Sequence, residues 1–323
     1  MDLARRTALA LLALPALAAG PTLAQEESAT VAVTAIVEHP ALDAARDGIK
    51  AELEAAGYEE GKNLAFTYES AQGNPATAAQ IARKLVGERP DVIVPISTPS
   101  AQAVVGATKD IPVVFTAVTD PVGAKLVQDA AHPGGNVTGM SDLSPIGAHL
   151  DLIKEITPDA ETLGVIYNPG EANSVTLLEL LKQEAPARGL TIKEAAAPKS
   201  SDVLAAAQSL VGNVDAIYVP TDNTVVTALE AIVKVGEQNK LPVYAGDTDS
   251  VPRGAIAALG FNYFDVGRQT GRIVLRVLKG ENPGEIPVEG VQITELFVNP
   301  GAAERMGVTI PEAVAERAKT VVE

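Results

Sequence analysis

The chain has 323 residues, 46% hydrophobic and 20% charged, which is the composition of a globular protein with enough length for two cores. Its formal charge of −16 argues against nucleic acid and anionic membrane surfaces as partners. There is no cysteine, which excludes disulfides, thiolate catalysis and a lipid-modified cysteine anchor.

Residues 1–24 read as a signal peptide. Arg5 and Arg6 precede an apolar run from Ala8 to Ala19, and the small-residue segment Thr22-Leu23-Ala24 follows as a cleavage site. A run of about 12 residues is too short to span a bilayer as a stable helix, which disfavours the competing reading of a membrane anchor. The expected product is exported to a periplasm.

A first strand is expected over 30–37. Pro40 opens a helix that places Leu42, Ala45, Ile49, Leu53 and Ala56 on one face, and Gly57 ends it. Strand 63–69, helix 75–88, the wholly apolar strand 91–96, helix 99–108, strand 111–116 and a short helix near 122–131 follow. A Gly-rich strand at 134–139 leaves this lobe. The scheme then repeats with helix 145–156, strand 162–167, helix 174–187, strand 190–195, helix 201–211, strand 214–219, helix 223–238 and strands 242–245 and 255–260. The second copy echoes the first in detail: Leu85-Val86-Gly87 before Asp91-Val92-Ile93-Val94-Pro95 returns as Leu210-Val211-Gly212 before Asp215 to Pro220. Gly260-Phe261-Asn262 is expected to cross back so that helix 264–279 packs on the first lobe, and Gly284–Pro287 with strand 291–298 to cross a third time. The fold class is α/β: two doubly wound parallel-sheet lobes joined by three crossings, one of 28–140 plus 261–286, the other of 141–260 plus 287–323.

In such sheets ligands bind beyond the carboxyl ends of the strands. The first lobe presents Glu38 and His39, then Thr98 as a helix cap with Pro99 behind it and the amides of Ser100 and Ala101 toward the cleft, then Ala117 and Thr119. A helix N-terminus of this kind suits a carboxylate, although Thr98 and Ser100 could equally serve only as caps. The second lobe presents Glu171, Asn173, Asp222, Asn223 and Asp247, acids able to pair with an ammonium; for Asp222 the alternative is an N-cap of helix 223–238. Donors facing acids fit a zwitterion, an α-amino acid. Phe115, Tyr167 and Tyr244 are candidates for the wall of a side-chain pocket, with core packing as the alternative. Walker, dinucleotide-binding, zincin and nucleophile-elbow motifs are missing, so neither an enzyme nor a cofactor or metal is expected.

VEHPALDAARDG (Val37–Gly48), TPSAQA (Thr98–Ala103), PVVFTAVTDPVGA (Pro112–Ala124), PGGNVTGMSD (Pro133–Asp142), YNPGEANS (Tyr167–Ser174), VDAIYVPTDNTVV (Val214–Val226) and DTDS (Asp247–Ser250) resemble the tryptophan-type substrate-binding proteins of bacterial ABC importers. The resemblance runs through both lobes in order. It implies the type I periplasmic-binding-protein fold, an aromatic amino acid held between the lobes, and an ABC permease with its ATPase as partners. It further implies the ligand carboxylate at the turns Thr98–Ala101 and Ala117–Thr119, and the amine at the turn of Asp222. Gly170 departs from the Ser expected in YNPSEANS-like motifs, and the missing anchoring Cys suits a free periplasmic monomer. A signalling receptor with the same cleft, or a binder of an aliphatic amino acid or nucleobase-like ring, is the alternative.

Overall fold

The computed structural model describes residues 28–291 and 293–322, so the expected signal peptide lies outside the described residues. The first sheet is built from β1 (Ala29–Ala35), β2 (Leu64–Ser70), β3 (Val92–Ile96), β4 (Val113–Val118) and β5 (Val137–Ser141), with α1 (Pro40–Ala55), α2 (Pro75–Glu88) and α3 (Thr98–Ala107) between them. Local chemistry sets the helix boundaries. Asn74 caps α2 by accepting from the amides of Ala76 and Thr77, Pro75 supplies the first turn, and Arg89 in left-handed conformation ends it. Ala78, Ile81, Ala82 and Leu85 then fall on its buried face.

The second sheet follows from α4 (Ile146–Ile156), β6 (Thr162–Tyr167), α5 (Ala172–Glu184), β7 (Thr191–Ala196), α6 (Val203–Leu210), β8 (Ala216–Val219), α7 (Asn223–Thr227), α8 (Leu229–Asn239), β9 (Val243–Ala245) and β10 (Ala257–Gly260). The chain then returns through α9 (Tyr263–Leu278) and β11 (Glu289–Gly290) before β12 (Glu295–Val298), α10 (Pro300–Arg305), α11 (Glu312–Glu316) and β13 (Thr320–Val321). Strand order is β11-β5-β4-β3-β1-β2 in one sheet and β13-β12-β10-β9-β8-β6-β7 in the other. Every pairing is parallel except β10 with β12.

Helix α9 lies against α1 at backbone distance. A Cβ on Gly48 would sit 2.1 Å from the Phe264 carbonyl oxygen, and one on Gly267 would sit 2.1 Å from that of Ala45. Its apolar face, including Val266, Ile273 and Val274, joins the core of the first sheet.

Several expectations needed adjustment. The stretch 122–131 is a chain of turns, because Asp120 accepts from the Gly123 amide at 2.8 Å and Lys125 takes a left-handed φ of 61°. The expected strand 134–139 begins only at Val137, since Gly134 and Gly135 have turn conformations with φ of 69° and 65°. Helix 223–238 is interrupted at Ala228, and strand 291–298 shortens to β12. Glu289–Gly290 pairs with β5, so the chain leaves the first sheet after 291 and not at 287.

Candidate functional site

Strand register decides which turns meet. Ala35 pairs with Ile96 and Ile96 with Thr116, so the segments starting at Ile36, Ser97 and Ala117 emerge side by side from the first sheet. Val165 pairs with Tyr218 and Tyr218 with Tyr244, so the turns after β6, β8 and β9 emerge together from the second. The two sets close around a small cavity. His39, Ala41, Leu42, Ala117 and Thr119 line it from the first lobe; Asn173, Thr221, Asn223, Val226 and Asp247 line it from the second; Asp142 and Tyr263 come from two of the crossings. A wider groove, lined by Glu38, Gln72, Gln102, Glu171, Lys199 and Thr224 among others, shares Asn223 with the cavity.

The first lobe carries buried polar atoms that the protein leaves unused. The hydroxyls of Ser97, Thr98 and Ser100 are buried without a hydrogen-bond partner among the described residues. The same holds for His39 Nδ1, Asn173 Oδ1 and Thr221 Oγ1 on the cavity lining. Orphaned buried groups are rare because each costs about 1–3 kcal/mol. The backbone is strained here too: Ser97 and Ala117 hold φ of 77° and 51°, and the β4–β5 register shifts between Phe115 and Val118. Non-glycine residues in such conformations cluster where a site needs a particular backbone geometry. The N-cap of α3 is Ser97 rather than Thr98, which is the first helical residue, and the Ala101 amide is satisfied inside the helix by Ser97 O at 3.0 Å.

The acids divide by how well they are satisfied. Asp222 accepts from Val225 N at 2.9 Å, from Asn168 N at 2.6 Å and from the Ser174 hydroxyl; it caps α7 and is not part of the cavity lining. Burial raises its pKa, and the nearby Glu171 charge adds to the rise. Glu171 is saturated by the amides and side chains of Asn223 and Thr224 and by Asn168 and Asn173, and so braces α5 against α7. Asp247 lies on the cavity and accepts from the Ser250 amide at 2.9 Å and hydroxyl at 2.7 Å. Asp142 accepts from the Tyr263 hydroxyl at 2.7 Å, with the Thr119 hydroxyl at 3.5 Å. Burial raises the pKa of both cavity acids. Burial, then the Arg253 charge, lowers that of His39 to about 3, so its ring is neutral.

Of the residues singled out in the sequence, His39, Ala117, Thr119, Asn173, Asn223 and Asp247 therefore meet at the cavity, whereas Glu38 and Glu171 line the adjoining groove. Thr98, Ser100 and Ala101 are buried at the β3–α3 junction, outside the cavity lining. The three aromatic candidates do not line it either. Phe115 is core beneath Gly139, Tyr244 shares a hydrogen bond with Thr157, and Tyr167 is partly exposed beside Glu194. Sequence reasoning missed Asp142 and Tyr263; Asp142 directly follows the Gly-rich β5, and Thr221 precedes Asp222 in a turn already singled out. Among the described residues no group of three or more His, Asp and Glu is placed to hold a metal, and no helix is long and apolar enough to cross a membrane.

Comparison with known proteins gives a consistent result. Residues 30–322 match the family described as ABC transporter substrate binding protein. A tyrosine-binding protein of Clostridioides difficile is 42% identical over 83% of this chain and 78% of its own length. The crystal structure of an ABC domain in complex with L-Trp from Streptococcus pneumonia is 36% identical, covers 92% of this chain and 100% of its own, and superposes with a TM-score of 0.89. A ligand-free, open substrate binding protein with adhesive properties from Clostridium difficile is 39% identical over 91% of this chain and 99% of its own, yet its TM-score is 0.69. At similar identity and coverage, this chain thus superposes better on the L-Trp complex than on the open protein. Distant solute-binding proteins at 15–16% identity share the type I periplasmic-binding fold, with TM-scores of 0.62 and 0.61. By sequence, fold and cleft, this chain belongs to the ABC transporter substrate-binding protein family.

Proposed function

We propose that this protein is the exported solute-binding component of an ABC importer, directed to the periplasm by residues 1–24, which closes on an aromatic amino acid and delivers it to a permease. The observation that carries this reading is the closed cavity with unpaired polar atoms on both walls and two carboxylates on its lining. Among the relatives more than 30% identical, one is named for tyrosine binding and one is in complex with L-Trp, both zwitterions with an aromatic ring. On this reading the ligand carboxylate approaches the amino end of α3 and the strained β4 end, Ala117–Thr119. The ammonium faces the acids of the cavity, and the ring packs among Leu42, Val226, Tyr263 and the neutral His39. Asp222 supports the cleft as a cap.

A thermal-shift panel of the exported protein against L-tyrosine, L-tryptophan, L-phenylalanine, aliphatic amino acids and nucleobases tests the ligand. At about 100 times its Kd a ligand adds about 2.7 kcal/mol of stability, which is readily seen. No response to any aromatic amino acid would remove the reading. Uptake of labelled tyrosine by cells with and without the gene tests the transport role.

A further inference from the structure

Asp142 belongs to the first crossing, one residue past β5, and is 3% exposed on the cavity lining. Tyr263 opens α9 just beyond the second crossing, and its hydroxyl donates to Asp142 Oδ2 at 2.7 Å. The remaining contacts are its own backbone amide and the Thr119 hydroxyl, which lies 3.5 Å from Oδ1, at the limit of a hydrogen bond. A carboxylate offers about four lone-pair sites, so Asp142 is poorly satisfied. The other buried acids of the cleft are not: Glu171 and Asp222 are held by several donors each, and Asp247 takes both an amide and a hydroxyl from Ser250. Among the described residues no Lys or Arg forms an ion pair with Asp142. A buried charge without a partner is compensated either by a cation or by water.

We infer that Asp142 is a ligand-binding residue that takes the ammonium of the bound amino acid and makes closure depend on it. With the cavity filled, the ammonium compensates the carboxylate and the closed arrangement holds. With it empty, separation of the lobes hydrates Asp142, so the same charge favours the open form. A ligand shifts such an equilibrium only through a contact that differs between the two states, and this contact does. Tyr263 acts as a positioning residue that aims the carboxylate from the neighbouring crossing. The inference rests on the amino-acid reading above.

The test uses the full exported protein, L-tyrosine and its deaminated analogue desaminotyrosine. Asp142→Asn keeps an oxygen for the Tyr263 hydroxyl but removes the charge. It is expected to lose roughly 30- to 5,000-fold in affinity for L-tyrosine and to bind the two compounds about equally. In X-ray scattering, the ligand-free Asp142→Asn protein is expected to have a smaller radius of gyration than the ligand-free parent, because the charge that favours opening is gone. Tyr263→Phe, which keeps the charge, should retain the preference for L-tyrosine. The inference is overturned if Asp142→Asn still prefers L-tyrosine, if its ligand-free form is as open as the parent, or if the ligand-free parent is already closed. Failure of the parent to bind any aromatic amino acid removes the functional reading itself, together with this inference.

Discussion

The amide of Asn168 donates to Asp222 Oδ2 at 2.6 Å and thereby ties the turn after β6 to the N-cap of α7. Asp222 is therefore a brace within the second lobe. In Asp222→Asn the amide nitrogen must face either Val225 N or the donors from Asn168 and Ser174. The expected result is a loss of about 1–3 kcal/mol in urea unfolding, with L-tyrosine affinity of the folded protein changed less than about 10-fold. A loss of about 30-fold or more at unchanged stability would return Asp222 to the ligand.

The unpaired hydroxyls at the start of α3 give a prediction with opposite signs in two assays. Ser100→Ala and Thr98→Val each remove a buried hydroxyl that has no partner among the described residues. The ligand-free variants should be at least as stable as the parent. Their affinity for L-tyrosine should fall roughly 10- to 100-fold, the effect of losing a hydrogen bond of about 1.5–3 kcal/mol to a charged group. Calorimetric titration showing parent-like affinity in both variants would detach this helix end from the ligand.

Close approach of α1 and α9 predicts intolerance of even a methyl group. A Cβ at Gly48 or Gly267 would lie 2.1 Å from a backbone carbonyl oxygen, so neither helix can stay in place. Gly48→Ala and Gly267→Ala should each cost about 1–3 kcal/mol, measured by denaturant unfolding. Losses under about 0.5 kcal/mol would mean that the helices separate easily.

His149 predicts a pH dependence. Its Nδ1 shares a hydrogen bond of 2.6 Å with the Tyr218 hydroxyl, and burial lowers its pKa from 6.5 to about 4. Between those values the unfolded chain binds the proton and the folded one does not. Its contribution to stability is therefore complete above about pH 6.5 and is lost as the pH falls towards 4, by about 3 kcal/mol in all. The buried acids with raised pKa act in the opposite sense, so the informative quantity is the parent minus His149→Gln. That difference should shrink on acidification from pH 7 to 4; a difference independent of pH would contradict the assignment.

The order of strands and helices, and the return of α9 to the first lobe, were legible in the sequence. Those features depend on local periodicity, caps and continuous apolar runs such as Val92–Ile96, which act within a few residues of one another. The short helix near 122–131 failed for a local reason as well, an Asp–Gly turn that outweighed the apolar spacing. The turns that line the cavity were also legible, because the expectation that ligands gather at the carboxyl ends of strands pointed to them. Which side chains in those turns remain free for a ligand was decided only by tertiary structure. Asp222 and Asp247 both follow a strand and cap a short helix, and each reads as an anchor for an amine. Asn168 and Ser174, distant in sequence, claim Asp222, while Asp247 stays on the cavity. Phe115, Tyr167 and Tyr244 could be read either as core or as pocket wall, because alternation along a strand does not say which of its faces meets a cleft. Asp142 and Tyr263 were missed because they meet across 121 residues of sequence, where two crossings come together. A hydrogen bond at that separation depends on the packing of both lobes, so no local pattern records it.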